Sequence, residues 1–215
     1  MPPPAASEPA RIETHPPRLL TGGAVFVVCL YGAFMLALVL VALLAVSLLQ
    51  LGLLTWLIPL ATFAAEAFFL PFGFGNPHVA RLVRSLNPGS GMPPERFIAQ
   101  LTLAPRLRSG FRALMEDADD IGWLGFTGSA LVFWGDSVQL SIPFAQISAV
   151  RAQSIGLRGL FLYPSIMLSV SGLPGVQSLT LAERSAWLLL STRARTREIR
   201  RRLVEKMSPG MSAGR

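Results

Sequence analysis
At 215 residues, with 52% hydrophobic side chains and a formal net charge of +7, the chain has room for one strongly apolar element and one domain of ordinary size. Its single cysteine, Cys29, excludes an intrachain disulfide framework and a thiolate metal cluster. The mean hydropathy of +0.51 is too high for an evenly mixed domain, so the apolar residues are concentrated somewhere.

Residues 1–18 hold Pro2, Pro3, Pro4, Pro9, Pro16 and Pro17 and little to bury, which predicts a disordered proline-rich tail. Glu8 and Glu13, and the length of the apolar run that follows, do not fit a cleaved signal peptide. That run, 19–65, is 47 residues without a charged side chain. As one helix it would be about 70 Å long, against the roughly 30 Å of a bilayer core. It therefore reads as a transmembrane helical hairpin over 19–72, with spans near 23–49 and 53–72, a turn at Gln50, Leu51 and Gly52, and a kink at Pro59. The next segment carries Arg81, Arg84, Arg96, Arg106, Arg108 and Arg112 against Glu95, which predicts both termini on the cytoplasmic side of a bacterial inner membrane. Arginine supplies nearly all the positive charge, Lys206 being the one lysine, and this composition suggests a GC-rich bacterial genome. Glu66 is the one ionisable group at predicted membrane depth. It is an intramembrane polar candidate, with a snorkelling position near the end of the second span as the competing reading.

Residues 73–94 read as a linker and 95–207 as a cytoplasmic domain, followed by a disordered tail over 208–215. Within the domain, 97–103, 121–126, 130–134, 138–142, 147–153, 165–170 and 178–181 read as strands. The clearest has Val138, Leu140 and Ile142 alternating with Gln139 and Ser141. Over 185–207 the period changes: Leu189, Thr192, Thr196, Ile199 and Leu203 mark one face of a helix.

The strand pattern resembles a pleckstrin-homology-like (PH-like) domain of the GRAM or bacterial PH type. The residues that carry it are Gly122, Leu124 and Thr127, a G-x-L-x-x-T strand, then Leu131 and Phe133, an L-x-F strand, then Ile142, Pro143 and Ile147, an I-P-x-x-x-I segment. The resemblance implies the fold class: a membrane protein, α+β, with a two-helix transmembrane hairpin followed by a seven-strand antiparallel barrel and a C-terminal helix. Domains of this kind often hold phosphate-contacting basic residues between the first two strands, which points to Arg106, Arg108 and Arg112. The lysine-rich phosphoinositide signature of eukaryotic members is absent, so the fold is implied and the ligand is not.

The final helix adds Arg193, Arg197, Arg200 and Arg201 as candidates for lipid or partner binding, among Arg195, Arg202 and Lys206. A guanidinium fork suits phosphate or carboxylate, while a solvated helix face favoured by the macrodipole is the alternative. Glu116, Asp117, Asp119 and Asp120 lack the spacing and glycine of a calcium loop, so no metal site is expected. His15 and His78 have no triad partners, and no cofactor fingerprint is present. The expected function is a non-enzymatic integral membrane protein that presents its domain to anionic lipid headgroups or a protein partner, self-association included. Nucleic acid is not expected. The alternative is a small accessory subunit of a membrane transport or secretion complex, with Glu66 at work.

Overall fold
Apolar residues at every second position need a common interior, and here seven consecutive segments supply them to one core. The structure is a computed structural model that describes residues 9–19, 22–49, 53–62, 75–88, 91–107, 118–155, 163–186 and 188–208. The strands are β1 (Arg11–Thr14), β2 (Arg96–Ala104), β3 (Asp120–Phe126), β4 (Ala130–Gly135), β5 (Val138–Pro143), β6 (Ile147–Ile155), β7 (Tyr163–Val170) and β8 (Ser178–Glu183). The helices are α1 (Gly22–Leu48), α2 (Gly75–Ser85) and α3 (Leu189–Met207). All strands join one antiparallel sheet in the order β1-β5-β4-β3-β2-β8-β7-β6.

One face of this sheet is the main core. Leu101, Leu103, Leu124, Leu131, Phe133, Ile142, Ile166, Leu168, Leu179 and Leu181 are fully buried in it, each contributing about 2 kcal/mol from lost apolar surface. Helix α3 closes it with Ile199 and Leu203, so strands from both ends of the order share one interior and the sheet must curl round it. The opposite face carries a smaller core, where Val79, Ala80 and Val83 of α2 pack on Ile98 and Ile121.

The hairpin turns are set by side chains. The Thr127 hydroxyl accepts from the Ala130 N–H at 2.9 Å and donates to the Ala130 carbonyl, closing β3 onto β4. Asp120 is fully buried, and its carboxylate accepts from the N–H groups of Ile121 (2.9 Å), Ser137 (2.8 Å) and Val138 (2.6 Å). That carboxylate fixes the turn between β4 and β5. It needs the room left by Gly135, where a Cβ would sit against the Asp120 carboxylate; Gly122, opposite it across the ladder, lets the Trp134–Gly135 backbone approach closely.

Several expectations are corrected. Among the described residues no helix is long and apolar enough to cross a membrane, so the two-helix transmembrane hairpin is withdrawn. With it goes the placement as an integral protein of a bacterial inner membrane with cytoplasmic termini. The count of uncharged residues had no means of seeing where the helix breaks or what fastens its start. Helix α1 ends at Leu48. The chain then resumes as a tight 3-10 segment, Leu53–Trp56, and a helical stretch at 57–62. At the other end, Asp136 accepts from the N–H groups of Arg18 and Leu19 at 2.9–3.1 Å, tying the entry to α1 to the β4–β5 turn.

Two segments read as irregular are ordered elements. Arg11–Thr14 lies within the proline-rich stretch yet pairs with β5, from Arg11 opposite Ser141 to Thr14 opposite Val138, with Ile12 against the core. Gly75–Ser85 lies within the stretch read as a linker. Pro77 falls in its first turn, where a helix tolerates proline, and Val79, Val83 and Leu86 share its buried face.

Asp120→Ala removes three acceptor contacts from a fully buried site and is expected to cost about 3 kcal/mol. Gly135→Ala, which displaces the same carboxylate, is expected to act in the same direction. A lowered urea midpoint with an unchanged m-value checks both.

Candidate functional site
Helix α3 turns 100° per residue, and its side chains sort into three strips. Thr192, Thr196, Ile199 and Leu203 are buried against the sheet. On one flank, Arg195 lies 3.7 Å from the buried Glu183 at the end of β8. Arg202 on that flank pairs with Glu95 and stacks 5.5 Å over the Phe97 ring. That flank therefore faces β8 and β2. The helix packs on β8, β7 and β6, in that sheet order, so the opposite flank lies on the β6 side. It carries Arg193, Arg197 and Arg200, at spacings of four and three residues, followed by the exposed Val204.

The two kinds of arginine differ in their electrostatics. Arg201 holds Glu198 with two parallel bonds, Nε at 2.9 Å and Nη2 at 2.8 Å, and reaches Glu205 as well. Arg202 shares the same Glu198 carboxylate. The bonds from Arg201, then Arg202, hold Glu198 at a pKa of about 2, well below the usual 4.5, and Glu198 raises the pKa values of both arginines in turn. Both acidic residues of α3 are thus committed to Arg201 and Arg202. Among the described residues Arg193, Arg197 and Arg200 make no ion pair; their one polar contact there is between Arg197 Nε and the Arg193 carbonyl, at 3.4 Å. The result is a row of three uncompensated guanidinium groups spanning about 10 Å of helix.

The structure treats the other candidates differently. Arg106 is exposed just after β2 and takes part in interactions of its own. Arg108, Arg112 and Glu66 lie outside the described residues. In the acidic run, Glu116 and Asp117 are also outside. Asp119 and Asp120 are buried structural acceptors, Asp119 receiving the Leu103 N–H at 2.7 Å and the Leu107 N–H at 3.0 Å. Among the described residues no group of three His, Cys, Asp or Glu side chains could hold a metal ion. A cavity of about 10 Å³ between Leu19, α2, Ile121 and Asp136 has room for about one water and no substrate. The split between engaged and free arginines was available from spacing alone. Pairing Glu198 and Glu205 with basic residues three and four positions away removes Arg201 and Arg202 and leaves a stripe at i, i+4 and i+7.

No family model, curated protein or solved structure matches the chain.

Because the Glu198 pKa is lower in the folded chain than in the unfolded one, its pairing stabilises fully above about pH 4.5 and is lost as pH falls toward 2. Glu198→Gln lacks this contribution at every pH. The melting-temperature gap between the native chain and this variant should be constant from pH 7 to about 4.5 and close as pH 2 is approached. High salt should narrow it, since the group is partly exposed.

Proposed function
We propose that the chain is a non-catalytic binding module of PH-like build that takes an anionic partner on the β6 side of α3. The observation that carries this is the row Arg193, Arg197 and Arg200, which has no counter-charges among the described residues while neighbouring arginines on the same helix are paired. A stability role would favour interspersed opposite charges, because three like charges within about 10 Å repel one another. A surface kept in that state is suited to carboxylates or phosphates brought by a partner.

Two features support the PH-like reading. Seven antiparallel strands follow one another in the order β5-β4-β3-β2-β8-β7-β6, with the first of them, β2, pairing with the last, β8. A C-terminal helix then packs across the core. The motif residues have matching structural roles: Gly122 lets the β4 backbone at Trp134 and Gly135 approach closely, Thr127 closes a hairpin, and Ile142 and Ile147 are core. The buried polar groups described above serve as turn acceptors and ion-pair partners, roles that fit a scaffold. An acidic protein segment is the favoured partner, and a lipid headgroup presents the same charges.

Binding to poly-glutamate should weaken steeply between 50 and 200 mM salt. Combined Arg193→Glu, Arg197→Glu and Arg200→Glu should weaken it at least about tenfold, or about 1.4 kcal/mol. Combined Arg81→Glu and Arg84→Glu, on exposed residues of α2, should change it little. Equal losses in the two variants would mean that net charge and not the stripe is responsible. Vesicles with and without anionic lipid, run in parallel by co-sedimentation, separate the lipid source of anions from the protein one.

A further inference from the structure
The two edges of the sheet are unlike. One is β1, a four-residue strand with charged Arg11 and Glu13, the kind of short edge that discourages further pairing. The other is β6, nine residues long, paired with β7 and with nothing on its outer side among the described residues. Alternate residues of β6 therefore point N–H and C=O groups away from the sheet. Arg151, Ala152 and Gln153 on this edge are exposed, no proline interrupts it, and its bulge at Ser148 lies near one end. The flank of α3 that faces β6 is the one carrying Arg193, Arg197 and Arg200. Backbone groups wanting a strand and side chains wanting anions thus lie side by side, and a strand added to β6 would run in the groove between them.

We infer that this groove binds an extended acidic segment of a partner protein, which adds to β6 as a further strand and sets its carboxylates against Arg193, Arg197 and Arg200. The inference rests on the anion-binding reading of the stripe and names its ligand. Same-face residues of a strand lie about 6.6 Å apart. Residues four and three apart on a helix rise about 6 and 4.5 Å. Acidic residues at every second position therefore fall close to the arginine spacing. Charge selects among the possible occupants. Two copies joined edge to edge through β6 would bring two Arg151 side chains and two arginine stripes toward one another, so self-pairing is opposed. A lipid headgroup carries the charge but offers no run of backbone donors and acceptors to a sheet edge. An acidic strand satisfies both.

The test uses the full chain, dispersed in a non-ionic detergent because α1 exposes apolar side chains. The probes are an end-capped octapeptide of alternating glutamate and valine, and the same peptide N-methylated on alternate residues, which keeps its charges and loses backbone donors. The alternating peptide should bind at low salt, slow amide exchange over 147–155, and bind at least tenfold more weakly to the triple Arg→Glu variant. The N-methylated peptide should also bind at least tenfold more weakly. If the stripe variant loses binding while exchange over 147–155 is unchanged and N-methylation has no effect, strand addition is wrong and the anion-binding stripe stands. If neither the peptide nor poly-glutamate binds, both readings fail. Protection of 147–155 that grows with protein concentration in the absence of peptide, with a doubled mass, would replace the acidic partner with a second copy.

Discussion
The buried Asp120 carboxylate is the constraint on which the arrangement depends. It sits where β3 begins and receives N–H groups from Ile121, Ser137 and Val138, so one side chain joins the start of β3 to the β4–β5 turn and the start of β5. Its cost is the space around it, met by the missing side chain of Gly135. A carboxylate is tolerable at full burial only because the donors are fixed around it, and half of that set would be worse than none. The turn that it holds then presents Asp136 to the N–H groups of Arg18 and Leu19. Through this second carboxylate, the edge strand β1 and the entry to α1 are placed by the same corner of the sheet.

The strands and the closing helix were legible because they obey simple periods. Runs read from alternation fall within two residues of β2 through β8, and the face of Thr192, Thr196, Ile199 and Leu203 is the buried face of α3. What escaped was held by forces that leave no side-chain period. β1 has one apolar anchor in four residues, Ile12, and is secured by ladder hydrogen bonds and by the bond from His15 N–H to the Ser137 carbonyl. α2 was obscured by Gly73, Gly75 and Pro77, which read as breakers until the proline is seen to occupy a first turn. Asp119 and Asp120 looked like a solvated run because a carboxylate caught by backbone N–H groups has the same local sequence as one in water.

The apolar stretch shows a different gap between pattern and structure. A count of uncharged residues measures how much surface avoids water and says nothing of what covers it. In α1, Val39 and Val46 are buried, while Leu36, Leu40, Val41, Leu44 and Leu48 are exposed and belong to no core of the described residues. A helix apolar on all sides ordinarily has all its sides covered. The hairpin reading supplied a cover before the helix boundaries were known. The described helices do not meet its requirement, and the exposed side chains stand as a surface whose cover is not among the described residues.

Charge on α3 follows the same logic as the carboxylates of the sheet: what matters is which groups are already engaged. Seven basic residues on one helix look alike in sequence, yet the fold divides them by flank. The flank toward β2 and β8 meets Glu95 and Glu183 and becomes structural, pinning the helix to the sheet. The flank toward β6 meets no carboxylate among the described residues, and beside it runs β6, a long sheet edge with no described neighbour on its outer side. At the opposite end of the same sheet the chain closes an edge with its own β1, whose four residues add to β5 by backbone pairing. Strand addition is thus already used by this fold in cis. The arginines explain why, at the other edge, the strand to be added should come from an acidic molecule and not from this basic one.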